Sequence, residues 1–431
     1  MIVRLSSNAA RGALVFLSVL LAAYLIYFTV RSARATYYSN LETLDGYERA
    51  TQIEPAKARN WYLLGRYLQY SIEEPNPQRA ITAFRKALEI DPQDTMTWLE
   101  LAATYETEGD HIAARDAYLN AKKTYPASAE VSWRYGNYLL RQGELDPAFA
   151  EIRRAVEADP SRAAEAFSRC AQVEPNADVI LDRAIPARRE IYVSILEILT
   201  GDRDVENAMK VWGRLAPMHP TLTIADISSF VLMLRDTLNS QQAHAVWNQA
   251  MALAGFGNLE GPQDSVVWDG SFESGIAQAV YAWRFKTNAK GVQIGFDNVE
   301  KHSRKHSLRV TFDGNSDIDF HDVCEMVPVA PKTAYQLSAW LKTQDLTTDQ
   351  GLRLELRSYT TNVEGVSTPD VQGTLPWTRV EATWKGTPQA EDVEICLRRV
   401  ASDQEDNKIR GTAWVDDIAL TPISPTGPAK P

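Results

Sequence analysis

Residues Thr95–Arg162 read TMTWLELAATYETEGDHIAARDAYLNAKKTYPAS and then AEVSWRYGNYLLRQGELDPAFAEIRRAVEADPSR, two consecutive units of 34 residues. Trp98, Leu101, Ala102, Tyr105, Ala114, Tyr118, Ala121 and Pro126 of the first fall at the same offsets as Ser132, Tyr135, Gly136, Leu139, Ala148, Ile152, Ala155 and Pro160 of the second. The first four offsets share one helical face and the next three share another. Each unit is therefore expected to be a pair of antiparallel helices. The small residue on each helix allows close approach, and the proline ends the second helix.

The beat extends in both directions. Ala58–Asp94 repeats it with Trp61, Leu64, Gly65, Leu68, Ala80, Phe84, Ala87 and Pro92, and three additional residues fit in the Glu73–Pro77 turn. Leu41–Pro55 reads as a lone second helix. Arg189–Pro220 and Ile224–Gly255 recover the pattern, whereas Pro175 and Pro186 break it within Ala163–Arg188. These offsets resemble the tetratricopeptide repeat: five repeats, a leading half and one degenerate unit. No unit buries its apolar face alone, so neighbours stack into a solenoid. The resemblance implies a groove that holds a protein partner, and Trp98, Trp212 and Trp247 are expected in the core.

Gly12–Val30 is 19 residues without a charge, bounded by Arg11 and Arg31. As a helix it is roughly 28 Å long, near the ~30 Å hydrocarbon thickness of a bilayer. A buried core helix and a signal peptide cleaved near Ala33-Arg34-Ala35 are the alternatives. The run exceeds the usual ~7–15-residue apolar core of a signal peptide, which favours a retained anchor. Four arginines precede the first acid, Glu42, so the rest of the chain is more acidic than the overall −11. That balance argues against a nucleic-acid partner. Hydrophobic content of 45% and charged content of 23% are those of a globular chain.

From about Ser265 the period changes to two. Leu308, Val310 and Phe312 alternate with polar residues, as do Leu337, Ala339 and Leu341, then Leu352, Leu354 and Leu356, and then Val393, Ile395 and Leu397. Short alternating strands with turn residues between them predict an antiparallel β-sandwich. Gly270-Ser271-Phe272-Glu273, Trp283, His306–Val310, Tyr335–Thr343, Trp377-Thr378 and Thr412–Leu420 together resemble the jelly-roll carbohydrate-binding modules of the galactose-binding-like superfamily. The expected fold class is thus α + β, a tetratricopeptide-repeat solenoid followed by a jelly-roll sandwich. The expected segments are an N-terminal anchor at 1–35 with a transmembrane helix at about 12–30, repeats at 41–257, a sandwich at 265–422, and a disordered tail at 423–431.

The second resemblance implies a structural calcium ion held by Glu273 and Asp416, since calcium takes several oxygen ligands. Alternation places Asp416 on the face of Trp414, Ile418 and Leu420, and a carboxylate there needs a partner. The alternative is that Asp416 only accepts backbone hydrogen bonds. With the leucines of Leu352–Leu356 inward, Arg353, Glu355 and Arg357 face outward, and Trp340 and Arg398 also leave the core face. Trp340, Arg353, Glu355 and Arg357 are therefore the candidate carbohydrate-binding residues, although an ordinary solvated face looks the same. Cys324 and Cys396 can bridge if the fold makes them neighbours outside the cytoplasm. His302 and His306 lie in a Lys/Arg-rich loop, where no metal site is expected.

No catalytic residues are expected: GxSxG, HExxH, phosphate-loop and dinucleotide fingerprints are missing from the sequence. The sequence therefore predicts a non-catalytic membrane-anchored adaptor. Its repeats would take a protein partner, and its sandwich would contact polysaccharide on the extracytoplasmic side of a single-pass membrane protein, as in export or assembly of a cell-surface glycan. The alternative is an interaction scaffold whose sandwich is a sugar-blind spacer.

Overall fold

The computed structural model describes residues 7–423 except 74, 220–221, 238–239, 257–258, 260–263, 287–289, 359–362, 390 and 406. The expected C-terminal tail, apart from Ile423, lies outside the described residues. The chain divides into two compact units between Ala187 and Arg188, at the end of the irregular stretch of the repeat pattern.

The first unit begins with α1 (Asn8–Ser39) and α2 (Leu44–Ile53), followed by α3 (Ala58–Tyr70) and α4 (Pro77–Ile90). The two quoted repeats are α5 (Thr95–Thr107) with α6 (His111–Thr124), and α7 (Ala129–Arg141) with α8 (Leu145–Ala158). The broken unit gives two short helices, α9 (Ala163–Ala171) and α10 (Ala177–Arg183). Local chemistry sets these boundaries. Asn76, Asp94, Asp110 and Ser128 each accept a hydrogen bond from a backbone N–H of the helix they precede. Helices α4, α6 and α8 end two residues before Pro92, Pro126 and Pro160. Within each hairpin the small residue lies at the crossing: a Cβ on Gly65 would stand 2.6 Å from the Phe84 ring, and one on Gly136 would stand 3.0 Å from Ile152.

Two sequence expectations change. The helix α2 is not alone, because α1 runs unbroken past its apolar stretch and its last turns form the partner helix. Ala35 is fully buried there, the Tyr38 carbonyl lies against Gly46, and Arg31 Nε donates to the Ile53 carbonyl at 2.6 Å. Upstream, the side chains from Leu14 to Val30 are largely exposed, and Arg11–Ser39 is long and apolar enough to cross a membrane. Trp98 is half-buried rather than a core residue. Its indole N–H reaches back to the Pro92 carbonyl at 2.9 Å, as that of Trp61 does to Pro55 at 2.8 Å, so each ring fastens a repeat to the end of the one before.

The second unit contains α11 (Arg189–Gly201), α12 (Val205–Leu215), α13 (Ile224–Thr237) and α14 (Ser240–Met251), then ten strands. These are β1 (Arg284–Phe285), β2 (Val292–Asp297), β3 (Ser307–Asp313), β4 (Phe320–Val329), β5 (Tyr335–Thr347), β6 (Arg353–Ser358), β7 (Val366–Ser367), β8 (Gly373–Trp384), β9 (Glu391–Arg399) and β10 (Arg410–Pro422). They pair antiparallel in two sheets, β1-β4-β9-β6-β7 and β2-β3-β10-β5-β8. Between the sheets lies one core that includes Leu308, Val310, Leu337, Leu341, Leu354, Leu356, Ile395 and Leu397, as the alternation predicts. Trp212 and Trp247 are buried. The Trp247 ring meets Trp268 edge-on at 5.4 Å, which joins α14 to the segment leading into the sandwich. Gly270 is required by close approach, since a Cβ there would lie 1.9 Å from the Ile418 carbonyl oxygen.

A side chain at the α3–α4 crossing has nowhere to go without moving Phe84. Gly65→Val is expected to destabilise the first unit by about 1–3 kcal/mol, the usual cost of overpacking. Chemical unfolding followed by circular dichroism should show the loss, and Phe84→Leu in the same chain should recover part of it. A Gly65→Val protein as stable as the parent would refute the close-approach argument.

Candidate functional site

The outer face of the second sheet carries cross-strand rows of polar side chains. In register across β2, β3, β10 and β5 stand Gln293, Thr311, Thr412 and Gln344. The adjacent row is Gly295, Arg309, Trp414 and Lys342. Of these, Gln293, Thr311, Thr412, Gln344, Arg309 and Trp414, together with Arg410, Asp345 and Thr347, line an open groove of about 670 Å³. The floor is rigid: Trp414 is 6% exposed, its indole N–H donates to Asp297 at 2.9 Å, and the Lys342 ammonium lies 5.6 Å from its ring centroid. Lys342 pairs with Glu300, and Arg309 lies 3.4 Å from Asp297. Arg410 makes no ion pair among the described residues.

Trp340 belongs to this face, two residues from Lys342 and opposite Arg379 on β8. Its ring is covered by the imidazole of His302, stacked at 4.0 Å with 15° between the planes, and Trp377 stands 5.7 Å from the same imidazole. The expected companions Arg353, Glu355 and Arg357 are on β6, in the other sheet. The structure therefore corrects the single candidate face: Trp340 and the Arg-Glu-Arg stretch lie on opposite outer faces of the sandwich. Side-chain alternation shows that a residue leaves the core, but it does not show which sheet its strand joins. Around β6 the charges are engaged with one another. Arg357 donates to Glu394 at 3.2 Å, Arg284 also pairs with Glu394, and Arg398 lies 3.5 Å from Glu355.

On that same face Cys324 and Cys396 stand directly opposite each other on β4 and β9 and form a disulfide. Both sulfurs are thus occupied, so their proximity to Glu394 does not provide thiolate ligands for a metal. Cys170 is a free, buried thiol, pushed up to about 12 by burial.

The carboxylates singled out for calcium are held by amide hydrogens. Glu273 Oε1 accepts from the backbone N–H of Lys305 and of His306, both at 2.9 Å. Asp416 Oδ2 accepts from His302 and Ser303, both at 2.9 Å, and its Oδ1 accepts from Asp417. Calcium requires a shell of oxygens, and N–H donors turned toward both carboxylates do not supply one. The residues present fit the backbone-acceptor alternative instead. Simple alternation also fails at this point, because β10 carries a bulge between Asp416 and Ala419, with Asp417 at φ 50°. Ala413 and Val415 enter the core before the bulge, Ile418 and Leu420 after it, so Asp416 does not share a face with the latter pair. Burial pushes Asp416 up to about 6. Burial also acts against Asp417, but the Ser271 hydroxyl, His302 and the Ser303 hydroxyl outweigh it and hold Asp417 below its ordinary value.

Glu325, which the sequence gave no reason to single out, is fully buried on the inner face of β4 between Val323 and Val327. One oxygen accepts from the Trp268 backbone at 2.8 Å, and the other has no partner among the described residues. Burial drives its pKa well above the carboxylate range.

In the first unit, the first helices of successive repeats, with Arg162 in the turn before α9, carry an interlocked polar ladder. Tyr70 donates to Glu100 at 2.7 Å, Arg134 donates to Glu100 at 3.2 Å and to Glu130 at 2.6 Å, and Arg162 donates to Glu130 at 2.9 Å. Burial pushes Glu130 up, but the two guanidiniums outweigh it and hold its carboxyl below the ordinary value. Between α4, α5 and α6 an open pocket of about 440 Å³ is lined by Leu88, Trp98, Leu101, Tyr105 and Asn120. In the second unit a more apolar cavity of about 300 Å³ is lined by Leu196, Trp212, Ile227 and Phe230.

Comparisons with known proteins concern the repeats. The family description "Tetratricopeptide repeat" matches residues 58–94. The chain is 32% identical over 82 residues to small glutamine-rich tetratricopeptide repeat-containing protein 2 of Mycosarcoma maydis, covering 19% of this chain and 23% of that protein. It is 29% identical over 86 residues to the type IV pilus assembly protein PilF of Pseudomonas aeruginosa, covering 20% of this chain and 34% of that one. The match therefore spans only a quarter to a third of either relative. Among solved structures, YrrB, described as a tetratricopeptide repeat protein with an unusual peptide-binding site, aligns over 49% of this chain and 94% of its own at 14% identity, with a TM-score of 0.26. The solved structure of Pseudomonas aeruginosa PilF aligns over 47% and 93%, at 20% identity and the same TM-score.

Glu325 predicts a pH dependence. Its folded pKa lies above the unfolded value of about 4.3, so its contribution to stability is full below that pH and is lost as pH rises through the folded pKa. The melting temperature of the second unit is expected to decline with rising pH above about 5. Glu325→Gln, which keeps the shape and cannot ionise, should flatten that decline. Calorimetry across the range tests this, and equal slopes in the two proteins would overturn it.

Proposed function

We propose that this chain is a non-catalytic, membrane-anchored scaffold whose repeats dock a protein partner and whose sandwich contacts polysaccharide outside the cytoplasm. The observation that carries the second half is the groove on the outer face of the second sheet. Amide, hydroxyl and guanidinium groups stand there in register, with the Asp345 carboxylate and Arg410 beside them and the edge of the largely buried Trp414 ring between them. Hydroxyl-rich rings are recognised by just such a combination of apolar contact and a few well-placed polar groups. The similarity to tetratricopeptide-repeat proteins supports the first half, since stacked repeats offer extended surfaces for partners. The exposed apolar stretch of α1 supports an anchor, continuous with the first helical hairpin. The cross-strand disulfide supports an oxidising, extracytoplasmic setting for the sandwich, because such bonds rarely persist in the cytosol.

One observation favours a second reading, in which the sandwich is a sugar-blind spacer. His302 lies on the face of Trp340 and Lys342 over that of Trp414, so both rings already have partners from their own chain. Affinity electrophoresis of the detergent-solubilised full chain through gels containing neutral or acidic polysaccharide separates the two readings. The scaffold reading expects retardation on at least one glycan, and migration unchanged on every glycan upholds the spacer. A calcium chelator, added in a parallel lane and in a thermal melt, is expected to change neither retardation nor melting temperature, because Glu273 and Asp416 are held by backbone N–H groups; a loss of either would restore the metal expectation.

The compartment has its own test. Alkylation of the denatured, unreduced protein from cells is expected to label Cys170 alone, and all three cysteines only after reduction. Three labelled thiols before reduction would place the sandwich in a reducing compartment.

A further inference from the structure

The segment Lys301-His302-Ser303-Arg304-Lys305-His306 joins β2 to β3 and carries three permanent positive charges and two imidazoles in six residues. Its backbone is tied down by two buried carboxylates. Asp416, fully buried, takes the N–H groups of His302 and Ser303. Glu273, whose side chain is 7% exposed, takes those of Lys305 and His306. Asp417 beneath it receives the Ser303 hydroxyl and stands 2.7 Å from the His302 imidazole. These acids are spent on the backbone and on Ser303 and His302, not on the lysines. Lys301 and Lys305 are exposed and make no ion pair among the described residues, and Arg304 is exposed beside them. The carboxylates pre-order the backbone of the loop, so an anion that binds there has only the cationic side chains left to order.

The loop continues the groove. His302 stacks on Trp340, and Trp340, Lys342 and Gln344 follow at alternate positions along one face of β5, roughly 14 Å from first to last. We infer that the loop Lys301–His306 is an anion-binding subsite, and that the polymer lying along β5 is an acidic polysaccharide whose carboxylate or other charged groups meet Lys301, Arg304 and Lys305. This rests on the reading of the sandwich as a polysaccharide contact and adds the charge class of the ligand. Charge density favours a glycan over nucleic acid. Duplex DNA carries a charge about every 1.7 Å and is bound through an extended basic face, whereas this loop offers three cations. A uronic-acid polymer carries a single carboxylate on each sugar ring, a lower density, and its hydroxyls suit Gln293, Thr311, Thr412 and Gln344.

The test uses the full chain in detergent, with polygalacturonate and alginate as acidic probes and carboxyl-reduced polygalacturonate as the neutral probe of the same backbone. Binding is followed by affinity electrophoresis and by titration at several salt concentrations. The parent should bind the acidic polymers at least tenfold more tightly than the reduced one, and more weakly as salt rises. The triple variant Lys301→Ala, Arg304→Ala, Lys305→Ala should lose that preference while keeping its melting temperature and its weaker binding of the neutral polymer. Gln344→Ala with Thr412→Val should weaken acidic and neutral polymers alike. If the triple variant binds the acidic polymers like the parent, the loop inference is overturned, while loss in the groove variant still upholds the polysaccharide contact. If the parent binds none of the three polymers, both readings are overturned. Retention by anionic phosphatidylserine vesicles in that case would assign the loop to a membrane surface instead.

Discussion

Everything in the helical part depends on how closely two helices of a hairpin can approach. Gly65 against Phe84 and Gly136 against Ile152 leave no space for even a methyl group without rearrangement. That contact lets Leu64, Leu68 and their equivalents reach the shared interior, and it fixes where the indoles of Trp61 and Trp98 fall relative to the preceding repeat. The same demand explains the N-terminus. Gly46 accepts the approach of the Tyr38 backbone, so the helix that carries the exposed apolar stretch also serves as the first half of a hairpin. A rigid, continuous element thus leads from the apolar segment into the repeats.

In the sandwich the corresponding constraint is the bulge at Asp416–Asp417. One extra residue in β10 shifts the strand's alternation and turns two adjacent carboxylates toward the β2–β3 loop. Burying carboxylates is costly unless they are hydrogen-bonded, and the loop's amides, hydroxyl and imidazole meet that need. The outcome is a cationic loop held in place by acids beneath it. The histidine–tryptophan stack and the loop therefore rely on a single irregularity in one strand.

Much of this was legible in the sequence because it is periodic. The 34-residue beat places α3 to α8 almost to the residue, and the change to period two marks the strands whose leucines and valines fill the sandwich core. The candidate site was only half legible. Trp340 could be assigned to an outward face, but strand partnership is a non-local property, so nothing in the alternation separated its sheet from that of Arg353, Glu355 and Arg357. The basic run Lys301–His306 was visible as composition, whereas its anchoring joins it to Glu273 about thirty positions upstream and to Asp416 more than a hundred positions downstream. The disulfide between Cys324 and Cys396 likewise depends on the pairing of β4 with β9.

The sequence by itself determined the kinds of structure: an apolar helix, stacked helical hairpins and an antiparallel sandwich. Those follow from short-range periodicity, which sets the face on which each residue lies. Only the tertiary structure decided which faces meet. It made the end of the apolar helix part of the first hairpin, put the expected sugar-facing residues on two different sheets, and turned two expected calcium ligands into acceptors for a loop's backbone. Each of these is fixed by contacts between distant segments, and a local pattern carries no record of its partner.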